Sequence, residues 1–499
     1  MPINKFHKAV LAIAFTVYLV TAINSKGYFH YDEHYQIIEF ADLKLGINNP
    51  SDLAWEYKAQ IRPAIQPAIC FVVFKMLHMA GITDAYTLAL SLRLLTLLLA
   101  LTAISLFVHS SLHLVQSKAQ KLYILLSYLL WFLPFINVRF SSETWSGLFF
   151  LFAVAILQLN LSKQKRFVAL AGLLLGLSFL CRFQSGVLIA GLLAWHIIIN
   201  KQSIKNISII VSAAFVALLL GFAIDGWFYE KAVFTFWNYF NINILKGVAS
   251  AFGTSPWNYY FGTILRAPAI PIGSLLLVCL CVLIYKKPDL LVLWVILPFL
   301  IVHSIIPHKE DRFLFPIINF IPLLVISGWQ EIKVNYQKNF RYKVYKISVL
   351  IFLGILVMIN VLGLIVMSER PMGNGAKAIT YYIHKSYKGK PVNLIYDINS
   401  NPYNPLYLLP LRERFYADEN VKGINMEELL KKEDTIINNN QTNLFVFEKA
   451  NINDPDFEEI IKRYNLKFKT QSIPEWIEKI DGYYSDPGNT NTLILYGNQ

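Results

Sequence analysis

The chain has 499 residues, of which 55% are hydrophobic and only 15% charged, with a formal net charge of +13 and a mean hydropathy of +0.45. That composition excludes an ordinary soluble domain and marks a polytopic membrane protein, so the excess of Lys and Arg is assigned to orienting loops and not to nucleic acid. The four cysteines, Cys70, Cys181, Cys279 and Cys281, lie in apolar segments without the spacing of a zinc site or disulfide framework, and are read as small core residues.

The first apolar run, 9–24, follows Lys5 and Lys8, and no clear small-residue cleavage site comes after it, so it is read as a retained anchor. Further runs long enough to cross a bilayer lie near 84–108, 121–138, 144–161, 167–182, 184–199, 206–224, 268–285, 289–306, 312–328 and 347–367, about eleven in all. With the N-terminus in the cytosol, alternate loops hold Lys118 and Lys121, then Lys163, Lys165 and Arg166, then Lys201 and Lys205, then Lys286 and Lys287, then Lys333, Lys338, Arg341, Lys343 and Lys346. All of these fall on one side, as positive charge on the cytosolic face requires. The other side receives Asp32 and Glu33, the segment 139–144, Arg182, the loop 225–266 and the cluster His308–Phe313. An odd number of crossings also puts the C-terminal region there.

Between the first two long spans, 25–83 is too polar for lipid and too apolar for a free loop, and the helix-period apolar positions at 35–46 and 64–79 predict two helices at the interface. The region 369–499 has mixed charge, many Asn residues, strand-like runs at 392–396, 444–447 and 493–496, and amphipathic stretches between them. It reads as a small α/β domain large enough to hold its own core. The expected organisation is therefore a helical polytopic membrane catalytic region, 1–368, whose segment 25–83 carries an acidic motif outside the membrane, followed by an extracytoplasmic α/β domain, 369–499.

Three groups of residues bear chemistry. Asp32 and Glu33 are consecutive carboxylates at a membrane surface. On a helix start they diverge by about 100°, so one is expected to act as a base on a sugar hydroxyl while the other orients or caps. The alternative is that both cap the helix that follows. His308, Lys309 and Arg312, in the run His-Lys-Glu-Asp-Arg-Phe, suit a phosphodiester or pyrophosphate head, against simple snorkelling of span-end cations. Arg93 lies inside the second span, with Arg139 and Arg182 near outer span ends. Such arginines face a cavity or a partner, or form a structural ion pair with a group such as Glu143. In the loop 225–266, aromatics mixed with Asn, Ser and Gly would stack on sugars and bond hydroxyls, or else form an interfacial aromatic belt. No Walker loop, no dinucleotide glycine pattern after a strand and no large cytosolic domain is present, which argues against an ATP-driven pump or a cytosolic nucleotide-sugar enzyme.

Taken in order, these residues resemble glycosyltransferase family 22, the GT-C mannosyltransferases of GPI-anchor and N-glycan core assembly. The family's acidic motif resembles His30-Tyr31-Asp32-Glu33-His34-Tyr35-Gln36, and its Trp-Glu and Ile-Arg-Ser motif resembles Trp55-Glu56 followed by Ile61-Arg62-Pro63. Its Asp-x-x-Tyr stretch and its Asn-rich to Pro-Trp-x-Tyr-Tyr stretch resemble Asp225 to Tyr229 and Asn241 to Tyr260. Its His-Lys-Glu-x-Arg-Phe motif is matched by His308 to Phe313. Tyr31 stands where the family has Pro or an acidic residue, Pro63 where it has Ser, and beyond the membrane region the likeness is weak, around Ser400 to Tyr403.

The resemblance implies a GT-C enzyme that transfers a hexose, mannose by likeness, from a polyprenyl phosphate to a glycan or glycolipid acceptor on the non-cytosolic side, with inversion. In that scheme Asp32 or Glu33 is the base, and His308, Lys309, Arg312, Arg93 and Arg182 hold the donor phosphate. His30, Gln36, Trp55, Glu56, Arg62, Arg139, Glu143, Asp225, Tyr229, Asn241, Trp257 and Tyr260 are assigned to the acceptor or sugar. The leaving phosphate is already charged and a cationic pocket holds it, so this chemistry calls for no metal and no cofactor. The alternatives are transfer of another polyprenyl-linked sugar onto lipid A or protein, or a flippase of lipid-linked sugar, although no paired broken helices in matching halves favour a transporter. The abundance of Lys, Ile and Asn fits an AT-rich bacterium, hence an inner membrane with a periplasmic active face. A eukaryotic origin would instead put the active face in the ER lumen.

Overall fold

A computed structural model describes residues 5–159, 164–332, 340–372, 375–404, 413–427, 442–481 and 492–498. Of the basic loop residues above, Lys163, Lys333 and Lys338 lie outside these. The chain divides into two compact units: Met1–Thr21, Ala59–Ala68 and Arg93–Ser368 form the first, and Ala22–Lys58, Ile69–Leu92 and Glu369–Gln499 the second.

The first unit is helical. Its apolar runs form helices at Lys5–Asn24, Ala85–Ser111, Ser142–Gln158, Lys165–Cys181, Gly186–Ile198, Ile204–Tyr229, Ile270–Lys286, Leu291–Ile305, Asp311–Phe320 continuing into Ile321–Glu331, and Phe340–Glu369. Among the described residues five helices are long and apolar enough to cross a membrane, and a sixth span would count the pair Ile270–Lys286 and Leu291–Ile305, which meet at 117°. The helix Ile204–Tyr229 has only 17% of its apolar window buried, and Val344–Glu369 only 6%. Phe215, Leu219, Leu220, Val357 and Met358 therefore point outward, an arrangement that is stable in hydrocarbon and not in water.

Two expectations need correction here. The run 121–138 is not one helix but two, Gln120–Leu129 and Phe132–Asn137. Pro134 removes a donor near the start of the second piece. The side chain of Asn360 holds the break, accepting from Trp131 N at 2.9 Å and donating to Leu129 O at 2.8 Å. Asp225 to Tyr229 belong not to a loop but to the last turn of the helix Ile204–Tyr229. A third difference is that Cys70, Cys181 and Cys279 are buried whereas Cys281 is exposed, two α-helical steps, about 200°, turning Cys281 to the other side of a half-buried helix. Close packing comes from small residues: Gly172 and Gly176 lie so near Ile210, Ala214 and Ala217 that a side chain at either would collide with the neighbouring helix.

The second unit contains a five-stranded sheet of β1 (Val392–Tyr396), β2 (Val421–Asn425), β3 (Thr442–Glu448), β4 (Lys467–Gln471) and β5 (Leu493–Gly497). The order is β2-β1-β3-β5-β4. Strands β2, β1 and β3 are parallel, and β5 is antiparallel to both β3 and β4. Side chains alternate between two cores, as the period of two requires. Leu394, Leu444, Val446 and Leu495 pack under the helix Ala376–Ser386 through Ile379 and Ile383. Ile395, Phe445 and Phe447 pack on the other face with Ile460 and Leu466. The segment 22–58 and part of the helix Ile65–Met79 belong to this same unit: Met372 N donates to Lys26 O at 3.0 Å, and Phe74 stacks on Phe415.

Candidate active site

In the second unit the acidic motif is built on a short helix start, Tyr31–Glu33, capped by His30. The Nδ1 of His30 accepts from Asp32 N at 3.3 Å. Glu33, three residues after the cap, is buried and reaches back so that its Oε2 accepts from Phe29 N at 3.3 Å, a variant of the capping box. Asp32 is different. Its side chain keeps 21% of its surface exposed, with the carboxylate 3.6 Å from His30 Nδ1. The same helix start thus separates the two carboxylates, one closing the backbone and one open to solvent.

The next five residues, His34–Ile38, form a buried π turn, and the α-helix resumes over Glu39–Leu45, not as the single helix 35–46 expected from periodicity. A π turn brings residues five apart together. His34 Nε2 accordingly lies 2.8 Å from Glu39 Oε1, and the same oxygen accepts from Arg414 N at 3.1 Å and Phe415 N at 3.3 Å. Asn48 donates to the other oxygen. Nearby, Lys377 is ion-paired with Glu413 at 2.6 Å, both side chains almost wholly buried, and Tyr28 and Tyr35 donate to Glu413 at 3.4 and 3.5 Å. Arg414 holds Asp52 through Nε at 2.7 Å. Gln36 and Glu56, both assigned to the acceptor, bond one another at 2.7 Å. Asp42 is buried with neither oxygen partnered among the described residues. Burial, aided by the Glu39 charge, pushes its carboxyl up to about 8. The exposed ring of Trp55 starts the helix Trp55–Ala59.

In the first unit the cationic cluster is organised around two carboxylates. Arg182 and Arg312 share one oxygen of buried Glu143, at 2.5 and 2.8 Å. Arg312 also engages Glu310 through Nε at 2.5 Å and Nη2 at 3.2 Å, and His308 Nε2 reaches Glu310 at 2.9 Å. Phe313 lies under both guanidinium groups, 4.6 Å from Arg182 and 5.5 Å from Arg312, a cation–π arrangement that holds them side by side. The Nε of Arg182 is buried without a hydrogen-bond partner among the described residues. Lys309 behaves differently from its neighbours: its ammonium donates to Ile306 O at 2.6 Å, Ser255 O at 2.9 Å and Pro307 O at 3.4 Å, so the bond to Ser255 ties the 253–257 loop to the cluster. Asp311 turns away and accepts from Tyr259 at 2.9 Å and Thr263 at 2.8 Å.

The remaining motif residues of this unit interlock. Asp225 accepts from Ala64 N and from Thr235 Oγ1, both at 2.7 Å. Tyr229 donates to Arg62 O at 2.8 Å, and Tyr260, buried, donates to Glu310 O at 3.4 Å. Asp225 and Tyr229 thus fix the bend at Arg62, and Tyr260 supports the cationic cluster. Arg93 and Arg139 are buried, Trp257 is exposed, and Asn241 sits in the π turn Phe240–Leu245. Glu39, Lys377 and Glu413 had no signal in the sequence: the first pairs at a π spacing and the other two across a gap of 36 positions.

The chain matches the model of the Alg9-like mannosyltransferase family over residues 9–403. Among curated proteins it is similar to GPI mannosyltransferase 3 of Debaryomyces hansenii, at 24% identity over 349 residues, covering 68% of this chain and 63% of that one. It is also similar to GPI alpha-1,2-mannosyltransferase 3 of Bos taurus, at 26% identity over 305 residues, covering 60% and 54%. The chain therefore spans less than two thirds of the length of these relatives. Among solved structures, that of ArnT from Cupriavidus metallidurans bound to undecaprenyl phosphate aligns with a TM-score of 0.53 over 99% of this chain and 98% of that one, at 12% identity, a likeness of fold.

Proposed function

The chain belongs to the Alg9-like mannosyltransferase family and is an integral membrane protein of the GT-C fold, and from that premise we propose that it transfers a hexose, mannose by family, from a polyprenyl phosphate to a glycan or glycolipid acceptor. The transfer takes place on the non-cytosolic face and inverts the anomeric carbon. In this reading 1–368 is the catalytic region and 369–499 the extracytoplasmic domain. The observation that carries the proposal is the separation of the acidic pair: Glu33 closes the helix start while Asp32 stays accessible beside His30.

The step is a displacement. The Asp32 carboxylate takes the proton of the acceptor hydroxyl, the oxygen forms its bond to the anomeric carbon, and the bond from that carbon to the phosphate oxygen breaks with its electron pair. The departing polyprenyl phosphate is taken up by the guanidinium groups of Arg182 and Arg312. A phosphate can replace Glu310 in the fork of Arg312 with the same two-pronged geometry, and the buried Nε of Arg182 supplies a further donor. Undecaprenyl phosphate in the ArnT structure is a ligand of the class of leaving group proposed here. Lys309 keeps the loop in place, with His308 completing the cationic side. His30, Gln36, Trp55, Glu56, Arg62, Arg93, Arg139, Glu143, Asp225, Tyr229, Asn241, Trp257 and Tyr260 shape the donor and acceptor pockets or brace them.

The test is to compare Asp32→Asn with Glu33→Gln in the full chain. Asp32→Asn should lower turnover by about 10²- to 10⁴-fold with donor binding retained, and Glu33→Gln should lower thermal stability more than turnover. Near-normal turnover of Asp32→Asn would remove the base from the proposal.

A further inference from the structure

At the far end of the first unit's helices lies a polar cavity. Helices Ser142–Gln158, Gly186–Ile198 and Asp311–Glu331 each begin at the Glu143, Arg182 and Arg312 cluster and end at this cavity, and Leu291–Ile305 runs the other way between them. Seventeen residues in the first of these, at about 1.5 Å each, place the cavity roughly 25 Å from the cluster, close to the thickness of a bilayer's hydrocarbon core. The cavity has a volume of about 490 Å³.

Three buried polar atoms on its lining have no hydrogen-bond partner among the described residues: His196 Nε2, Ser327 Oγ and Gln330 Nε2. His196 is 1% exposed and Ser327 9%. All three are donors. The amide nitrogen of Asn200 lies 3.1 Å from His196 Nδ1, so Nδ1 accepts and Nε2 carries the proton. Gln330 accepts through its oxygen from Gln116 N at 3.5 Å, which leaves its amide protons for the cavity. Buried donors left without partners are costly, and a ligand rich in acceptor oxygens satisfies them. Among the described residues the charged groups on the lining are Lys287, Asp289 and Glu331, with Lys287 3.7 Å from Glu331. Among these described groups one cation stands against two carboxylates, a balance that favours a guest bringing its own cation. Beside the cavity, Ile197, Ile198 and Ile284 are exposed on the helix surface, a track on which acyl chains can lie, and Lys201, Lys205 and Lys286 mark this end as the one bearing the basic loops.

We propose that this cavity binds the headgroup of a zwitterionic phospholipid of the basic-loop leaflet, with the phosphodiester taking the protons of His196, Ser327 and Gln330 and the ammonium group lying against Asp289 and Glu331. The site is independent of the transfer reaction and would tie the enzyme to the lipid composition of the leaflet opposite its active face.

Native mass spectrometry of the delipidated full chain tests this, with titration by phosphatidylethanolamine, by phosphatidylglycerol and by inorganic phosphate alone. One phosphatidylethanolamine should be retained at a concentration at least tenfold below that needed for phosphatidylglycerol. Ser327→Val with Gln330→Leu should raise that concentration about tenfold. Asp289→Asn, at an exposed position, should leave the fold intact and abolish the preference between the two lipids. Equal retention of both lipids, unchanged in the variants, would mean ordinary annular lipid and overturn the proposal. Retention of inorganic phosphate as tight as that of the lipid would make the guest a free anion and overturn it equally.

Discussion

Two carboxylates one residue apart acquire different tasks here because a helix start treats neighbouring positions differently. The third residue after the cap can reach back to an unpaired backbone N–H, and Glu33 does so; the second cannot, and Asp32 keeps a partly exposed carboxylate beside His30. Sequence reading reached the pair and the possibility that one of them caps, but not which one, since that depended on His30 being the cap. Asp42 was invisible as a special residue because its neighbours Phe40 and Ala41 gave only an amphipathic pattern. Its carboxyl keeps its proton up to about 8 in the folded chain against 3.8 for the unfolded one. Stability is therefore fully present below about pH 4 and declines as pH rises toward 8, because only the unfolded chain releases the proton over that window. At about 1.4 kcal/mol per unit, the loss is on the order of 5 kcal/mol. The melting temperature of the detergent-solubilised protein should fall between pH 5 and pH 8, and Asp42→Asn should flatten that slope; an unchanged slope would assign the pH dependence to other groups.

At the scale of elements, the helices were legible from apolar periodicity while their interruptions were not. The break after Leu129 rests on the side chain of Asn360, more than two hundred positions away, and the π turn His34–Ile38 is selected by the partners that Glu39 finds at Arg414 and Phe415. Those contacts also show why the acidic segment and the α/β domain form one compact unit. Arg182 illustrates a different limit: the sequence offered a phosphate ligand or an ion pair with Glu143 as alternatives, and the structure has the ion pair, which the proposed chemistry uses to hold the guanidinium in place. The buried pair Lys377 and Glu413 gives the unit a sharp test. Lys377→Met alone leaves a buried charge uncompensated, an effect worth about 3–5 kcal/mol. The double variant Lys377→Met with Glu413→Gln should recover most of the lost thermal stability. Equal destabilisation by the single and double variants would show that the pair is not coupled.

For the whole molecule, composition and the long apolar runs carried the helical membrane architecture, because a bilayer permits so few solutions. The strands at 392–396, 444–447 and 493–496 appeared where the strand-like apolar runs placed them, each within a strand of the sheet, whereas β2 and β4 lack such runs: Lys422, Gly423 and Asn425 interrupt one, Lys467, Lys469 and Gln471 the other. The positive-inside pattern makes a direct prediction of orientation. Reporter fusions after residues 202 and 287 should read as cytosolic, and fusions near 245 and at 499 as non-cytosolic. A cytosolic reading at 499 would require an even number of crossings and would overturn the orientation assigned to the α/β domain.

The central claim is that the chain cleaves a polyprenyl-phosphate sugar and passes the sugar on. The most direct measurement is incubation of the reconstituted full-length protein with radiolabelled polyprenyl-phosphate mannose and glycolipid extracted from membranes of its own source, followed by separation of lipid products. We predict labelled glycolipid and free polyprenyl phosphate in equal amounts, both reduced at least about a hundredfold with Asp32→Asn. Labelled donor recovered intact, whether left in place or moved to the opposite leaflet, would contradict the assignment and point to a carrier of lipid-linked sugar.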